Sequence, residues 1–213
     1  MRANNGHTPP AAAAFPAKLN TAVHLTPADL FSLEQYARTR AGFRSRVLEQ
    51  KRLRNIAVGP HTTWCFENRL TVQYQVQEML RAERIFEPDA IQEELDSYNP
   101  LIPDGTNLKA TLLIEYPDAE ERQAALVRLK GIETRCWLGV GEERFQAIAD
   151  EDLERENDTK TSAVHFLRFE LSPTACAALK GSARIELGVD HPAYRHAFVT
   201  DAATSRALAG DLN

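Results

Sequence analysis

The stretch FENRLTVQYQVQEMLRAERIFEPDAIQEELDSYNPLIPDG, residues 66–105, contains two segments of helical character that are rich in Glu, Gln, Arg and Tyr. Residues 70–86 carry apolar side chains at helical spacing, and Glu-Pro-Asp at 87–89 is typical of the start of a second helix. Asn99 and Pro100 end this helix, because a residue that precedes proline disfavours the helical conformation. The sequence therefore predicts a pair of polar helices near the centre of the chain.

Glu83 is the most informative residue of the first predicted helix. If each residue is advanced by about 100°, Glu83 falls within the arc of the apolar residues Val72, Val76, Met79 and Leu80. A buried, unpaired carboxylate is costly, so Glu83 would be protonated, paired with an Arg or His, or bound to a metal. Two structural alternatives stay open: the helix ends near residue 82 and leaves Glu83 exposed, or an Arg pairs with it.

Length and composition are those of an ordinary globular protein. The chain has 213 residues, of which 43% are hydrophobic and 26% are charged, and this suits one globular domain over 25–213 after a flexible Ala/Pro-rich tail over 1–24. No apolar run approaches the roughly 18 residues that a membrane-spanning helix needs. The first residues lack the parts of a secretion signal, and the cysteines form no Cys-x-x-Cys pair. We therefore expect a cytoplasmic protein.

The fold class follows from the order of the predicted strands and helices. Residues 108–116 and 162–171 alternate apolar and polar side chains, which is typical of strands with one buried face. Shorter strands are predicted at 54–58, 63–66, 135–140, 144–148 and 184–189. Helices and apparent hairpins alternate irregularly between them. This order predicts an α+β fold with a mixed or mostly antiparallel sheet packed with several helices.

A basic strip precedes the central helices. Between residues 38 and 54 there are seven Arg and Lys residues and one acid, Glu49. Together with polar side chains of the next helix, the strip is a candidate docking surface, which consists of Arg38, Arg44, Lys51, Arg52, Gln73, Gln77 and Arg81. The alternative is a solvated helix face that balances the acidic helices after it. The net charge of −5 and the lack of a nucleic-acid-binding motif argue against nucleic acid as a partner.

Standard catalytic motifs are absent from the sequence, but potential metal ligands are scattered along it. The candidates for a His/carboxylate pocket are Glu83, His165, Asp190, His191 and His196, with Glu67 and Glu78 as outer members. Such oxygen and nitrogen ligands would suit iron, manganese or zinc. The alternatives are structural: a His on an apolar strand face, as at His165, is commonly a hydrogen-bonded core residue, and Asp190 fits an ordinary turn. No residue is assigned a catalytic role.

Several phrases of the chain resemble an uncharacterised bacterial family, the domain of unknown function numbered 3501. They are FENRLTVQYQVQEMLRAERIFE with its continuation EELDSYNPLIPDG, SAVHFLRFEL and LGVDHPAYRH, and the likeness covers about residues 25–212. The resemblance implies no activity and no site residues. It implies a setting in redox or peroxide defence, since relatives tend to be encoded beside rubrerythrin-like proteins and iron–sulfur oxidoreductases.

Three functions remain open at this point. The first is a cytoplasmic accessory or binding protein of a redox system, with rubrerythrin-like or iron–sulfur oxidoreductase proteins as partners of its docking surface. The second is a metal-binding protein or metal-dependent enzyme, whose pocket contains Glu83, His165 and the turn at 190–196. The third is a structural or interaction domain without a ligand, in which Glu83 pairs with an Arg and backbone groups satisfy every His.

Overall fold

The computed structural model describes residues 24–149 and 160–213, so the tail expected over 1–24 lies outside the described residues except for His24. In these ranges the α-helices are α1 (Leu33–Lys51), α2 (Arg69–Glu83), α3 (Pro88–Tyr98), α4 (Ala119–Arg128), α5 (Pro173–Lys180) and α6 (Ala202–Ala209). The strands are β1 (Asn55–Ala57), β2 (Thr62–Phe66), β3 (Asn107–Ile114), β4 (Cys136–Val140), β5 (Glu143–Gln146), β6 (Ile148–Ala149), β7 (Val164–Glu170), β8 (Ile185–His191) and β9 (Tyr194–Val199). None of the helices described is both long and apolar enough to cross a membrane.

The described strands form two sheets. Sheet A has the strand order β1-β2-β3-β7-β6, and sheet B has the order β5-β4-β8-β9. Every neighbouring pair in both sheets is antiparallel. The predicted α+β class and the antiparallel pairing are confirmed. The strands divide between two sheets, which the alternation of residues within each strand does not reveal.

One apolar cluster joins the buried faces of both sheets to α4, α5 and α6. The inward residues of β3 alternate as the sequence predicts, with buried side chains at Leu108, Ala110, Leu112 and Ile114. Sheet B contributes Leu138, Ile185, Leu187 and Val189, and the three helices contribute Leu126, Leu179 and Leu208. Because burial of apolar surface contributes about 25 cal/mol per Å², this cluster is the main source of stability for the two sheets.

A second apolar cluster holds the helices α2 and α3 together. Its buried members are Leu25, Val72, Val76, Leu80, Leu95 and Ile102. They come from the segment before α1, from α2, and from α3 and the turn that follows it. The apolar stripe predicted on α2 is therefore buried against α3 and the N-terminal segment.

Trp137 of β4 lies on the face of sheet B that is turned away from the apolar cluster. A Cβ atom at Gly188 would lie 2.1 Å from Cζ2 of the Trp137 ring, so the indole rests directly on the β8 backbone. The Arg144 guanidinium lies over the same ring, with its Cζ atom 3.4 Å from the ring centroid, and forms an ion pair with Asp190. Close packing of the indole therefore requires glycine at position 188.

We expect Gly188→Ala to destabilise the protein, because the added methyl group would overlap the Trp137 ring. Overpacking of this kind costs about 1–3 kcal/mol of unfolding free energy, which denaturant titration followed by circular dichroism measures. Gly139→Ala is the matched control on β4, since a Cβ atom there would meet nothing closer than 3.5 Å. Equal unfolding free energies for the two variants would contradict the packing described.

Candidate functional site

A polar contact at Glu78 holds α1 on α2. Arg40 donates from Nε and Nη2 to the two carboxylate oxygens of Glu78 at 2.7 and 2.6 Å, and the Tyr36 hydroxyl donates to the same carboxylate at 2.5 Å. The Arg40 hydrogen bonds lower the pKa of Glu78, and partial burial opposes this shift only in part. This carboxylate, an outer candidate for the metal pocket, thus binds two helices to each other.

The Glu78 contact gives a pH-dependent contribution to stability. A carboxylate with a lower pKa in the folded state stabilises the fold above its unfolded pKa of 4.5, and the contribution disappears as the pH falls through the folded pKa. We therefore expect Glu78→Gln to lower the unfolding free energy at neutral pH and to have a much smaller effect near about pH 3. Denaturant titrations at both pH values measure this, with Glu93→Gln on the exposed side of α3 as the control. The same destabilisation at both pH values would count against the ionised contact.

The other side of α1 is exposed. The buried residues of the helix are Tyr36, Phe43 and Val47, which face α2 and the segment before α1. A helix of 19 residues with three buried side chains presents most of its surface to solvent. The exposed surface of α1 is therefore where the basic strip of the sequence lies.

Basic and apolar side chains share this exposed surface. Arg38, Arg44 and Arg52 are exposed, and none of them forms an ion pair with another residue that the structure describes. Leu48 on α1 and Leu53 just after it are 45% and 38% exposed. These five residues are called the basic face below. Lys51, also predicted for docking, is half-buried next to them and has no such ion pair either.

Gln77, which the sequence places on the docking surface, does not reach the surface, and this corrects the prediction for that residue; Gln73 is half-buried. Gln77 is fully buried, and its side chain accepts from the Phe31 backbone amide at 2.6 Å and donates to the Phe31 carbonyl oxygen at 3.4 Å. Gln73 donates to the Asp29 carbonyl oxygen at 2.5 Å. The segment before α1 covers this side of α2, so the glutamines satisfy backbone groups there. Arg81, farther along α2, is exposed.

A cleft opens next to the basic face, between the end of α1, the start of α2 and the end of α6. Its volume is about 560 Å³, within the usual range for ligand pockets. It is lined by Leu53 and Leu70, by the amides of Gln50 and Asn68, and by Arg54 and Asp211. Because Leu53 belongs to both the basic face and the cleft, the two surfaces are continuous.

Arg54 and Asp211 form a buried ion pair in the cleft. Arg54 is 3% exposed, and its Nη1 and Nη2 donate to the two carboxylate oxygens of Asp211 at 2.6 and 2.8 Å. The same guanidinium donates to the carbonyl oxygens of Ala207 and Glu67 at 3.1 and 3.4 Å. Burial raises the pKa of Asp211, and the bonds from Arg54 oppose this shift. The pair joins the turn after α1 to the turn after α6.

We expect Asp211→Asn to destabilise the protein strongly, because it leaves the buried Arg54 guanidinium without a counter-charge. Breaking one partner of a buried ion pair costs about 3–5 kcal/mol of unfolding free energy. Asp190→Asn is the control, since the Asp190–Arg144 pair has side chains that are 46% and 53% exposed and such pairs contribute about 0–1 kcal/mol. Denaturant titration compares the two variants, and equal losses would contradict the assignment of the buried pair.

Glu83 is exposed, which corrects the expectation that it faces the core. α2 ends at this residue, and Arg84 follows in the left-handed conformation with φ of 58°. The buried stripe of α2 ends at Leu80, and Phe86 is 68% exposed. Placing Glu83 on the apolar arc requires a regular helix to residue 86, whereas the chain reverses at Arg84. The alternative with a helix end near residue 82 describes the structure.

His165 is fully buried on the inner face of sheet A, opposite Leu112 of β3. Its Nε2 lies 2.9 Å from Oγ1 of Thr161 and 3.0 Å from the Ser162 carbonyl oxygen. A Glu133 carboxylate oxygen is 3.8 Å from the same nitrogen. These are the contacts of a hydrogen-bonded core histidine, the structural alternative for this residue.

Residues 190–196 form part of a β-hairpin, because β8 continues to His191 and β9 begins at Tyr194. Asp190 is exposed on the Trp137 side of the sheet. His191 is buried, and its Nε2 lies 3.1 Å from the Lys130 carbonyl oxygen. His196 packs beside Tyr194, with ring centroids 4.5 Å apart. Strand alternation thus places Asp190 on the opposite face of sheet B from His191 and His196.

Glu67 is buried just before α2, where threonine hydroxyls bind it. Its carboxylate accepts from the hydroxyls of Thr71 and Thr111 at 2.5 and 3.1 Å, and Glu67 as a whole is 3% exposed. Burial, followed by the nearby Glu67 charge, raises the pKa of the Cys65 thiol to about 11. That thiol is therefore protonated at neutral pH and is a poor nucleophile.

The predicted pocket residues are dispersed through the fold. Glu83 ends α2, His165 lies inside sheet A, and the residues of 190–196 divide between two faces of sheet B. Within 24–149 and 160–213, no group of three or more His, Cys, Asp or Glu side chains is placed to hold a metal ion. Sequence reasoning missed the cleft, because Arg54 and Asp211 are 157 positions apart and no local pattern connects them.

The fold defines the class of protein: an α+β core of two antiparallel sheets with the helices α1, α2 and α3 attached to it. The chain matches the family described as protein of unknown function (DUF3501) over residues 24–212 and belongs to that family, which confirms the resemblance in the sequence. It is similar to a crystal structure described as a novel protein of unknown function from Burkholderia pseudomallei K96243. The two chains are 50% identical with a TM-score of 0.85, and the match covers 89% of this chain and 99% of the other. No curated protein matches the chain.

Proposed function

We propose that the protein is a cytoplasmic accessory or binding protein that docks an acidic partner protein through the basic face and the adjoining cleft. The observation that carries this proposal is the make-up of α1. α1 and the two residues after it present the exposed side chains of Arg38, Arg44 and Arg52, which form no ion pair with a described residue, around exposed leucines. Arginine is enriched at protein interfaces, and the exposed leucines add apolar surface that a partner can bury.

The basic residues of this region divide into an inward and an outward set. Arg40 binds Glu78, and Arg54 binds Asp211, so these two guanidinium groups hold the fold together. Arg38, Arg44 and Arg52 have no comparable ion pair in the described chain. A guanidinium group is weakly hydrated and suits carboxylates in a bidentate geometry. Arg38 interacts electrostatically with the exposed Glu34 one turn earlier on α1, and we propose that the outward set binds carboxylates of another protein.

The basic face is presented on a rigid support. Burial of Tyr36, Phe43 and Val47 fixes the inner side of α1, and the Arg40–Glu78 contact fixes its rotation on α2. A partner that binds a preformed helix does not have to order it, so less binding free energy is lost to conformational entropy. The rigid support favours a docking role for α1 over the alternative, in which its basic residues are only solvated.

The charge of the whole chain helps to define the partner. The net charge is −5, so the basic face is a local feature and would steer acidic proteins to one side of the molecule. Leu48 and Leu53 would contact apolar side chains at the centre of the interface, and the cleft beside Leu53 has room for a further side chain. We place the partner among the rubrerythrin-like or iron–sulfur oxidoreductase proteins of a redox or peroxide-defence system, the setting implied by the family resemblance.

The test is the affinity of the full chain for such proteins, purified from the same organism, by isothermal titration calorimetry. We expect the triple variant Arg38→Glu/Arg44→Glu/Arg52→Glu to weaken binding by about tenfold or more, because like charges would then face each other across the interface. Binding by the wild type should also weaken as salt is added, and this dependence should be reduced in the variant.

The matched control reverses three exposed cations elsewhere, in Arg135→Glu/Lys180→Glu/Arg184→Glu. It changes the net charge by the same amount but leaves α1 intact, so its affinity should stay close to that of the wild type. Binding that is lost in the control and kept in the α1 variant would contradict the proposed surface. No binding to any of these partners by the wild type would contradict the proposed setting.

A further inference from the structure

β9 is an unprotected edge of sheet B. In the described part of the chain no strand pairs with its free side. Phe198 and Val199 are 44% and 53% exposed, and Ala197 is exposed as well. Natural edge strands commonly carry Pro, inward charges or a bulge that prevents pairing with another chain. The segment Ala197–Phe198–Val199 carries none of these.

The ladder between β8 and β9 shows which backbone groups face the free side. The Thr200 amide donates to the Ile185 carbonyl oxygen on the β8 side at 2.9 Å. Successive residues of an antiparallel strand direct their N–H and C=O groups alternately to its two sides. In β9, the backbone groups of the odd-numbered residues are therefore directed away from β8. Arg195, Ala197 and Val199 therefore offer backbone donors and acceptors at the edge.

We propose that β9 pairs with β9 of a second copy of this chain, in antiparallel orientation about a two-fold axis at Phe198. In this register Ala197 lies opposite Val199 of the second copy and exchanges both backbone hydrogen bonds with it. Arg195 lies opposite Asp201, and the two Phe198 side chains lie opposite each other. The two copies of sheet B then form one continuous sheet, an isologous arrangement.

The charges at the two ends of the edge favour a second copy of the chain as the partner strand, and they favour one register of pairing. Arg195 is exposed at one end of the edge, where it lies opposite Asp190 of β8. Asp201, also exposed, is in extended backbone just past the other end, and its carboxylate accepts from the Thr204 amide as the N-cap of α6. A two-fold axis at Ala197 would place Arg195 opposite Val199, and an axis at Val199 would move Arg195 beyond Asp201. The axis at Phe198 places each cation opposite an anion on both sides of the axis, and such opposite pairs stabilise sheets.

The proposal is tested first by sedimentation equilibrium of the full chain over a range of concentrations. We expect a monomer–dimer equilibrium, which Arg195→Glu weakens at least about tenfold because Glu would face Asp201. Ala197→Pro, which removes an edge N–H group, should weaken it as well. Arg135→Glu, an exposed arginine outside β9, is the control and should leave the equilibrium unchanged. A monomer at every concentration, or a dimer that both β9 variants leave intact, would overturn the proposal.

The register is tested by disulfide cross-linking. Directly opposite residues that do not exchange backbone hydrogen bonds have Cα atoms about 4.5 Å apart, a distance that a disulfide spans. Phe198→Cys should therefore form a covalent dimer on mild oxidation. Val199→Cys, one position away and opposite Ala197, is the control and should cross-link no more than the wild type with its native cysteines. Equal cross-linking of the two variants, or none with Phe198→Cys, would overturn the register.

Discussion

The buried guanidinium group of Arg54 connects segments that are far apart along the chain. It stands between α1 and β1, and it donates to the Asp211 carboxylate, to the Ala207 carbonyl oxygen of α6 and to the Glu67 carbonyl oxygen that precedes α2. A planar group with five donors satisfies these acceptors together, whereas the single ammonium of lysine would not. The position of α1 against the sheets, and the cleft at its end, depend on this contact.

The same region shows how the basic residues of one segment separate into two roles. Where a carboxylate lies within reach inside the fold, as Glu78 does for Arg40, the arginine stabilises the packing of helices. On the outer side of the helix, Arg44 and Arg52 are exposed one turn before and one turn after the exposed Leu48, and these side chains belong to the proposed docking surface. The proposed docking function follows from this separation, since the inner contacts hold the helix in place and the outer side chains remain accessible to a partner.

Local periodicity predicted the fold well wherever the environment of a segment repeats along it. The alternation in β3 and β7 placed Leu112 and His165 on the buried face, because each strand is covered on one side along its length. The prediction that Glu83 faces the core was wrong for a different reason. A helical-wheel projection assumes an unbroken helix. The identity of residue 84 as arginine does not predict the left-handed conformation that ends α2 there.

The candidate site was predictable only in part, because its components depend on contacts between distant segments. The charge of this segment is visible in the sequence, so Arg38, Arg44 and Arg52 could be selected as candidates, and the structure shows that they are exposed. Gln77 could not be excluded from the surface, since its burial depends on the segment at Phe31 folding over α2. The cleft itself exists only when α6 returns to the end of α1.

Hydrogen–deuterium exchange of the full chain, alone and with a purified acidic partner, tests the docking proposal most directly. Docking at the basic face predicts slower exchange on binding along α1, through Leu53, and at the Asn68 end of α2 beside the cleft. Unchanged exchange in these segments, together with slower exchange at another surface of the protein, would contradict it.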